Sequence, residues 1–368
     1  MDEIYKIALS FISGFGPVNL KKAIAYTGDI QAFFTEKSQN LLKIPGIGQA
    51  CIQKLDRKSA LIQAEEEMKF MERNKIEIAF YLDKNYPKRL LSCPDSPCVL
   101  YYKGNANFNE VRNISIVGTR NASEYGKNQC NTLIQELSKK SIKTNIISGL
   151  AYGIDICAHK AAMRFQLPTI AAIGHGFQQM YPAQHKKYAQ EIINNNGAIV
   201  SEFTSKSKFD PKNFVRRNRI IAGMSEATIV IESARKGGSL VTAQIANSYN
   251  RDVFAFPGRI SDQYSEGCNF LIKTNQAHLI ENINDLEYIL GWDEQVHKAK
   301  EIQTKLFVDL TKEEEQIISA LKDSEKTPID LICLKSSLPM SKVSSLLLKL
   351  EFDGMIKSHP GKIYSLNP

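Results

Sequence analysis

The sequence predicts an α/β protein in three parts: a small helical domain over residues 1–80, a doubly wound, Rossmann-like parallel-sheet domain over 81–295, and a winged-helix domain over 305–368. Three observations lead to this prediction. The chain has 368 residues, which is too many for one ordinary hydrophobic core. Short apolar runs alternate with helical segments in the middle of the chain, whereas the apolar residues at both ends follow helical spacing.

The first domain contains two similar phrases, ISGFGPVNLKKAI at 12–24 and IPGIGQACIQKL at 44–55. Each places two glycines in a tight turn before an amphipathic stretch, so that backbone N–H groups point outward from a helix N-terminus. The repeat resembles tandem helix-hairpin-helix motifs, which hold a phosphate without reading bases. Packing alone is an alternative role for such turns. Helix is predicted to continue to about residue 75.

Residues 81–112 are rich in proline and predict an irregular connector. Six runs rich in Ile, Val and Ala follow, and they are apolar throughout rather than alternating. Such runs are typical of a parallel sheet covered by helices on both faces. The predicted strands are 114–118, 144–148, 169–174, 198–202, 227–232 and 252–258.

The tail is predicted to form three helices and a hairpin. Thr311 with Glu314 three residues later forms a capping-box pattern, and Pro328 suits a helix start. Pro360-Gly361 suits the tip of a wing. This is a winged-helix pattern, whose use is often DNA binding. The expected recognition helix carries only Lys342 and Lys349 as bases, which favours a protein contact or a regulatory role.

The formal net charge of +8 is concentrated in the middle of the chain. Residues 1–80 hold 11 Lys and Arg against 10 Asp and Glu, and residues 301–368 hold 9 against 10. The whole surplus therefore lies in 81–300, where we expect a polyanionic partner to bind. The near-neutral first and last segments argue against strong DNA binding by either.

Cysteine usage and the N-terminus indicate the compartment. Seven cysteines are scattered singly, which does not favour a structural metal. The opening MDEIYKIALSFIS is acidic where an export signal is basic. No apolar run approaches the roughly 20 residues that span a membrane. We therefore expect a cytoplasmic protein with reduced thiols and no membrane contact.

In an open parallel sheet, ligands bind at the carboxyl ends of the strands, and glycine-bearing turns follow the predicted strands at that edge. Backbone N–H groups at such turns attract phosphate. The turns match neither the dinucleotide fingerprint nor the G-x-x-x-x-G-K-[ST] loop, so no nucleotide cofactor and no hydrolysis of that type is predicted. Several phosphate-friendly turns with interspersed cations suit an extended phosphate chain.

The segment KSKFDPKNFVRRNR, residues 206–219, is the most basic part of the chain, with six Lys and Arg against one Asp. Phe209 and Phe214 lie among these charges, either as stacking surfaces or as ordinary core. Asn218 is expected to hold backbone at a turn. Arg217 or Arg219 is expected to be tied internally to Glu202 or Glu232. The residues expected to anchor a following helix in the core are Ile220, Ile221 and Met224.

Three sets of residues could in principle act in catalysis. Asp155 and His159 lie four residues apart on one helix face and could form an acid–base pair, although a structural contact is the favoured interpretation. Glu202 and Glu232 lie at strand ends as candidate carboxylates, but abundant arginine nearby favours ion pairing instead. Ser239 suits a helix cap before it suits a nucleophile.

Consecutive blocks of the chain resemble the signature blocks of the DNA-processing protein A family (DprA, also called Smf). Over about residues 80–290 they read IVGTR, SGLAYGIDICAHKAA, TIAAIGHGFQQMYP, GAIVSEF, FVRRNRIIAGMSEATIVIESARKGGSLVTAQIA and VFAFPGRISDQYSEGCNFLI. The resemblance implies a noncatalytic protein of natural transformation. Such a protein binds and protects incoming single-stranded DNA and loads the recombinase RecA onto it, usually as a homodimer.

The turns, the basic segment and the resemblance together give a set of candidate DNA-binding residues. They are Arg120, Gly149, Leu150, Ala151, His159, Lys160, Arg216, Arg217, Asn218, Arg219, Lys236, Gly237, Gly238 and Ser239. Family members often carry Ser-Gly-Ser at the last of these turns. The lysine at 236 should add attraction for phosphate.

Two other hypotheses remain. The first is a nucleotide-hydrolysing enzyme similar to the phosphoribohydrolases of the Rossmann-like group. Those enzymes carry a Pro-Gly-Gly-x-Gly-Thr turn followed by a glutamate, whereas KGGSLVTAQ lacks the proline and has Gln244 at the acidic position. The second is a nucleotide or oligonucleotide sensor whose ligand controls the tail domain.

Overall fold

The computed structural model describes residues 2–109, 111–140, 143–292, 310–322, 327–359 and 362–366. The chain divides into two compact units, Met1–Leu290 and Gly291–Pro368. The domain limits predicted at 295 and 305 lie outside the described residues. The helical segment and the sheet belong to one compact unit, so the limit near residue 80 stays a prediction.

Helices and short strands alternate along most of the chain. The helices are α1 Asp2–Ala8, α2 Pro17–Thr27, α3 Ile30–Thr35, α4 Ser38–Leu41, α5 Gln49–Gln53, α6 Arg57–Asn74, α7 Lys88–Leu91, α8 Glu124–Ser138, α9 Ile154–Arg164, α10 Lys186–Asn194, α11 Pro211–Met224, α12 Gly238–Ser248, α13 Glu266–Lys273, α14 Ile283–Leu290, α15 Lys312–Lys322, α16 Ile329–Ser336 and α17 Met340–Phe352. The strands are β1 Glu77–Phe80, β2 Val99–Gly104, β3 Arg112–Val117, β4 Thr144–Ser148, β5 Thr169–Ala172, β6 Ala198–Ser201, β7 Ala227–Val230, β8 Asp252–Ala255, β9 His278–Leu279, β10 Thr327–Pro328, β11 Ile356–His359 and β12 Ile363–Leu366.

The first unit is built on one sheet of nine strands in the order β1-β2-β6-β5-β4-β3-β7-β8-β9. From β6 to β9 all neighbours are parallel, and β2 and β1 extend the β6 edge in antiparallel fashion. The chain moves outward from β3 to β6 and then returns through α11 to β7 on the other side of β3. The carboxyl ends of β3 and β7 therefore flank a topological switch point, where such sheets open a crevice.

The predicted mixed α/β fold is confirmed, and all six predicted strands are present in the parallel part. The prediction of an irregular connector over 81–112 is wrong for β2, whose register pairs Tyr101 with Ser201 of β6. Pro94 and Pro97 precede the strand rather than interrupt it, so they remove none of its hydrogen bonds. Local proline content therefore misled the prediction.

The helical segment packs against the sheet through polar contacts as well as apolar ones. Buried Glu67 of α6 accepts hydrogen bonds from the Ser205 amide at 2.8 Å and from its hydroxyl at 2.5 Å. The Tyr101 hydroxyl lies 2.9 Å from Ser10 Oγ. Gly14 adopts a φ of 83° before α2, as the tight turn of the first hairpin requires. These contacts fix the helices on the sheet edge that carries β1 and β2.

The second unit has the predicted winged-helix elements. Helices α15 to α17 enclose their own apolar core beside a three-stranded sheet of order β10-β12-β11. The capping box is confirmed, since the Thr311 amide donates to Glu314 Oε2 at 2.8 Å and the Glu314 amide to Thr311 Oγ1 at 3.4 Å. The predicted wing tip at residues 360–361 lies outside the described residues.

No single helix in the described ranges is long and apolar enough to cross a membrane. Helices α16 and α17 would meet the length and composition together, but they are bent by 107°. Their buried faces pack into the core of the second unit, through residues such as Ile332 and Leu347.

Glu314 makes the stability of the second unit depend on pH. Its hydrogen bond from Lys349 and those from Thr311 lower its pKa from 4.5 to about 2. Because the folded pKa is depressed, the stabilisation is full above pH 4.5 and is lost as pH falls toward 2. We expect Glu314→Gln to weaken the protection of α15 amides from hydrogen exchange at pH 7 by about 1–2 kcal/mol, and by less as pH falls.

The matched control is Glu313→Gln, because that side chain is 40% exposed and its ion pair with Lys342 lies at the surface. Its expected effect is below about 0.5 kcal/mol. Equal losses in the two variants at pH 7 would contradict the role given to Glu314.

Candidate nucleic-acid interface

A cleft of about 390 Å³ lies at the carboxyl edge of the sheet, at the switch point between β3 and β7. We call it the carboxyl-edge cleft. The turns after β3, β4 and β7 and one side of α11 form its walls. Its lining residues are Val117, Gly118, Thr119, Arg120, Ala151, Asp155, Pro211, Phe214, Val215, Arg217, Asn218, Ile221, Ala234, Gly237, Gly238, Ser239 and Thr242. The structure thus brings seven predicted DNA-binding residues into one concave site.

The turns that form the cleft are tied to one another by backbone hydrogen bonds. The Thr119 amide donates to the Glu232 carbonyl at 2.7 Å, and the Ile154 amide donates to the Thr119 carbonyl at 3.1 Å. The end of β3 is thereby joined to the end of β7 and to the start of α9. These bonds hold the cleft walls in fixed positions before any ligand binds.

Buried Arg217 holds the floor of the cleft together. Its Nη1 donates to the carbonyl oxygens of Gly149 at 2.5 Å and of Ala172, which follow β4 and end β5. The carboxylate of Asp155 lies beside it and accepts from the Gly149 amide at 3.1 Å. Burial lowers the pKa of Arg217 to about 10, while the charge of Asp155 acts in the opposite direction. Burial raises the pKa of Asp155, whereas the charge of Arg217 and hydrogen bonds from the amides of residues 149 and 151 act in the opposite direction.

Gly149 allows that packing because it has no side chain. A Cβ at this position would lie 2.6 Å from Arg217 Nη1 and 2.6 Å from Asp155 Oδ2. Leu150 follows with a φ of 56° and is fully buried, and its carbonyl accepts from His185 Nδ1 at 2.7 Å. Gly149 and Leu150 therefore shape the turn from inside, and Ala151 is the residue of the three that lines the cleft.

The three arginines of the basic segment have different partners, and one of the predicted internal ion pairs is present. Buried Arg219 pairs with Glu202 at 2.5 Å, which confirms an internal tie to that carboxylate. Arg216 also reaches Glu202, at 2.7 Å, but its side chain is 53% exposed and lies over the Phe203 ring. Arg217 is tied to carbonyl groups and to Asp155 rather than to Glu202 or Glu232.

Two predictions for this region need correction. Asn218 lies within the continuous helix α11 and lines the cleft, so it does not hold a turn. His159 is fully buried, with Nδ1 2.7 Å from Thr169 Oγ1, and cannot reach a ligand at the surface. Burial, together with the nearby charge of Arg217, lowers the pKa of His159 to about 3, so it is neutral. Burial also removes Arg217 and Arg219 from direct contact with a strand.

The candidate catalytic carboxylates have structural partners. Asp155 and His159 do not contact one another as an acid–base pair, since each bonds elsewhere. Glu232 accepts hydrogen bonds from the Ser123 amide at 2.9 Å and from the Ser123 hydroxyl, and so holds the N-cap residue of α8 instead of an arginine. Ser239 donates to Ser233 Oγ at 2.8 Å. In the described part of the chain, no His, Cys, Asp and Glu cluster has the composition of a metal site.

Three predicted cations are exposed near this edge. Arg120 lines the cleft, whereas Lys236 and Lys160 lie outside its lining. The Lys160 ammonium lies 5.5 Å from the centroid of the Tyr188 ring, over which Lys187 also lies, at 4.8 Å. Lys160, Lys187 and Tyr188 therefore form a basic and aromatic surface beside the turn after β4.

An aromatic cluster stands at the mouth of the cleft. The rings of Tyr181, Phe209 and Phe214 lie 5.1–5.4 Å apart, and Tyr181 and Phe209 are 45% and 44% exposed. The two phenylalanines were predicted from the sequence, whereas Tyr181 was not. The signal available was its place in the turn after β5, at the ligand-binding edge of the sheet.

Fold and site together define a class: an α/β protein with an open, arginine-bearing cleft at its switch point, followed by a winged helix. The chain belongs to the DNA recombination-mediator protein A (DprA) family. The profile of that family matches residues 77–290, and the profile of the DprA winged helix domain matches residues 307–362.

Three relatives show how far the similarity extends. The chain is 31% identical to Protein Smf of Synechocystis sp. over 99% of its own length and 98% of the relative. The X-ray structure of DprA from Streptococcus pneumoniae matches with a TM-score of 0.64 at 31% identity, over 77% of this chain and 95% of that one. DprA from Helicobacter pylori, whose structure was described for its single-stranded DNA binding mode, matches with a TM-score of 0.53 at 30% identity, over 60% and 97%.

Replacement of Arg217 by methionine tests the structural role of this side chain. The substitution leaves Asp155 buried without its cation and two carbonyl groups without donors. We expect the free energy of unfolding of the first unit to fall by about 3–5 kcal/mol in urea denaturation of the full chain.

The matched control is Arg216→Met on the same helix. Because Glu202 keeps Arg219 as a partner, the expected loss is below about 1 kcal/mol. Comparable losses in both variants would show that Arg217 is not the group that holds the cleft floor.

Proposed function

We propose that this protein binds single-stranded DNA without sequence preference, along the carboxyl-edge cleft and the two aromatic surfaces beside it. The observation that carries the proposal is the combination of Arg120, the uncapped N-terminus of α12 and exposed rings at one edge of the sheet. Nonspecific strand binding requires a positive groove for phosphates and platforms for stacking bases. The strand-binding mode described for the Helicobacter pylori relative supports the same assignment.

The phosphate contacts come from charge and from backbone. Helix α12 begins at Gly238, and its N-cap Gly237 has no side-chain cap, so the first N–H groups face the cleft. Such N–H groups attract phosphate. Arg120 on the opposite wall supplies a guanidinium for the same phosphate, and Lys236 adds charge beside the turn. None of these groups reads a base edge, so the contacts are independent of sequence.

The aromatic cluster supplies the stacking surface. Tyr181 and Phe209 each expose nearly half of their surface beside the cleft mouth. Rings with only a packing role would be buried, so this exposure favours a role in stacking. Bases that leave the cleft on this side stack on these rings. Beside the turn after β4, Tyr152 is 40% exposed and contacts His185, whose ring in turn contacts Tyr188 near Lys160. The strand path proposed here therefore includes both aromatic surfaces as well as the cleft.

The last step of the proposed role is transfer of the bound DNA strand to a recombinase. A recombination mediator needs to hold DNA without altering it, and the structural partners of Glu202, Glu232 and Asp155 support a noncatalytic protein. We infer that the protein protects incoming strands, acts as a homodimer in the cytoplasm, and loads RecA onto the strand. Failure to speed RecA filament assembly on strands already coated by a single-strand-binding protein would contradict the loading role.

Binding of labelled dT oligomers of increasing length tests the proposal. We expect affinity to grow with length and to fall steeply between about 50 and 200 mM salt. Arg120→Ala and Lys160→Ala should each lower affinity about tenfold, equivalent to about 1.4 kcal/mol, and reduce the salt slope by about 1 for all sequences alike.

The control is Lys139→Ala, which removes the same charge at the end of α8, at the opposite edge of the sheet. It should leave affinity within about twofold of the parent, since long-range effects are screened at these salt concentrations. Binding that does not grow with length, base release from a mononucleotide, or loss confined to particular sequences would contradict the proposal and favour the nucleotide-hydrolysing or sensor alternative.

A further inference from the structure

His175 is a buried histidine in the turn after β5, outside the groups assigned above to strand binding. Its backbone carbonyl accepts a hydrogen bond from Ser201 Oγ of β6 at 2.7 Å, which fixes the start of the turn. Gly174 beside it lies so close to α11 that a Cβ there would come within 3.0 Å of the Phe214 ring. The turn therefore leaves the sheet in a position that β6 and α11 define.

The imidazole ring of His175 closes this turn. Its Nδ1 lies 2.9 Å from the carbonyl oxygen of Gly176, and its Nε2 lies 3.1 Å from the amide nitrogen of Tyr181. Because a carbonyl only accepts and a backbone N–H only donates, we assign the ring proton to Nδ1, and Nε2 is the acceptor. The Tyr181 carbonyl is a more distant neighbour of Nε2, at 3.4 Å. The neutral ring thus satisfies both shorter contacts and ties residue 181 to the end of β5.

The amide that His175 holds belongs to an exposed member of the aromatic cluster. The Tyr181 ring is 45% exposed and lies 5.1 Å from the Phe209 ring and 5.4 Å from the Phe214 ring. Phe214 is carried by α11 and Phe209 lies just before that helix, so another part of the chain places both phenylalanines. The cluster therefore depends on where the turn places Tyr181, and the hydrogen bond from the Tyr181 amide to His175 sets that position.

We propose that His175, in its neutral form, is a positioning residue that holds Tyr181 as a stacking platform for bases. His175 acts in strand binding only through Tyr181, so its role rests on the function proposed above. A ring that is already held in place loses less conformational entropy when a base stacks on it. A second proton, on Nε2, would place an N–H against the Tyr181 N–H and break the tie. Base stacking on Tyr181 therefore depends on pH.

The surroundings of the ring favour its neutral form. Burial lowers the pKa of His175 from 6.5, and the charge of Arg217 on α11 acts in the same direction, while the hydrogen bonds of the ring to backbone oppose both. Arg217 lies beside Asp155, and the carboxylate of Glu202, which follows β6, is already held by two arginines. Because the folded pKa is depressed, the tie is complete above pH 6.5 and is lost as pH falls through the folded pKa.

Affinity of the full chain for a labelled dT oligomer, measured at pH 8, tests the role of His175. His175→Leu removes the acceptor and should lower affinity about fivefold, and Tyr181→Ala should lower it about tenfold, since both lose base stacking. Because His175 acts through Tyr181, the double variant should bind no more weakly than Tyr181→Ala alone. His175→Gln keeps an acceptor for the Tyr181 amide and should bind within about twofold of the parent.

Dependence on pH separates this role from a merely structural one. Between pH 8 and pH 5 the parent should lose affinity relative to His175→Gln, with the loss confined to the range below pH 6.5. The matched control is His278→Gln, because His278 is exposed in β9 at the far edge of the sheet. That variant should keep both the affinity and the pH profile of the parent. Without DNA at pH 8, hydrogen exchange in residues 176–182 should be faster in His175→Leu than in His175→Gln.

Failure of this role can be told apart from failure of the proposed function. Absence of dT binding by the parent would remove both. Binding by the parent that His175→Leu leaves unchanged, a further loss in the double variant, or identical pH profiles for the parent and His175→Gln would overturn the role of His175 alone. The comparison between the parent and His175→Gln decides the question even where the leucine variant is unstable.

Discussion

A buried arginine at the carboxyl edge of the sheet is the constraint on which the rest of the site depends. Arg217 donates to carbonyl groups after β4 and at the end of β5, and it faces Asp155 on α9. One side chain of α11 thus fixes the ends of two strands and the start of a helix. An unpaired charge at this depth would be strongly destabilising, so the pair and its acceptors must form together. Arg217 thus connects the turn after β4 to the end of β5 at the floor of the cleft.

The cations of this region fall into two groups: some stabilise the fold, and others are exposed and available to bind a ligand. On α11, Arg217 points to the sheet, and Arg219 pairs with Glu202 on another side of the helix. Fully buried Ile220 and Met224 anchor the same helix in the core. Among the predicted DNA-binding cations, Arg120, Lys160, Arg216 and Lys236 are exposed, and Arg216 is paired with Glu202. Two of the six cations in the basic segment are buried, so its net charge overstates the charge that this segment offers to a ligand.

The fold was predictable from the sequence because apolar strands and glycine turns are local signals. The capping box at Thr311 was predictable for the same reason. The roles of the three arginines were not, because they depend on the rotation of α11 and on where Glu202 lies across the sheet. The burial of His159 was missed because a histidine on a helix gives no sign of which face is inward. Tyr181 was missed because its partner Phe209 is 28 residues away and the contact is tertiary.

The central claim is that single-stranded DNA occupies the carboxyl edge of the sheet. Hydrogen–deuterium exchange on the full chain, with and without a dT oligomer, tests it most directly. The account predicts slower exchange in residues 118–123, 149–153, 206–215 and 234–240. It predicts no change at the amino edge, in residues 165–168, 195–197 and 249–251. Protection confined to the amino edge or to the second unit, with the carboxyl-edge turns unchanged, would contradict it.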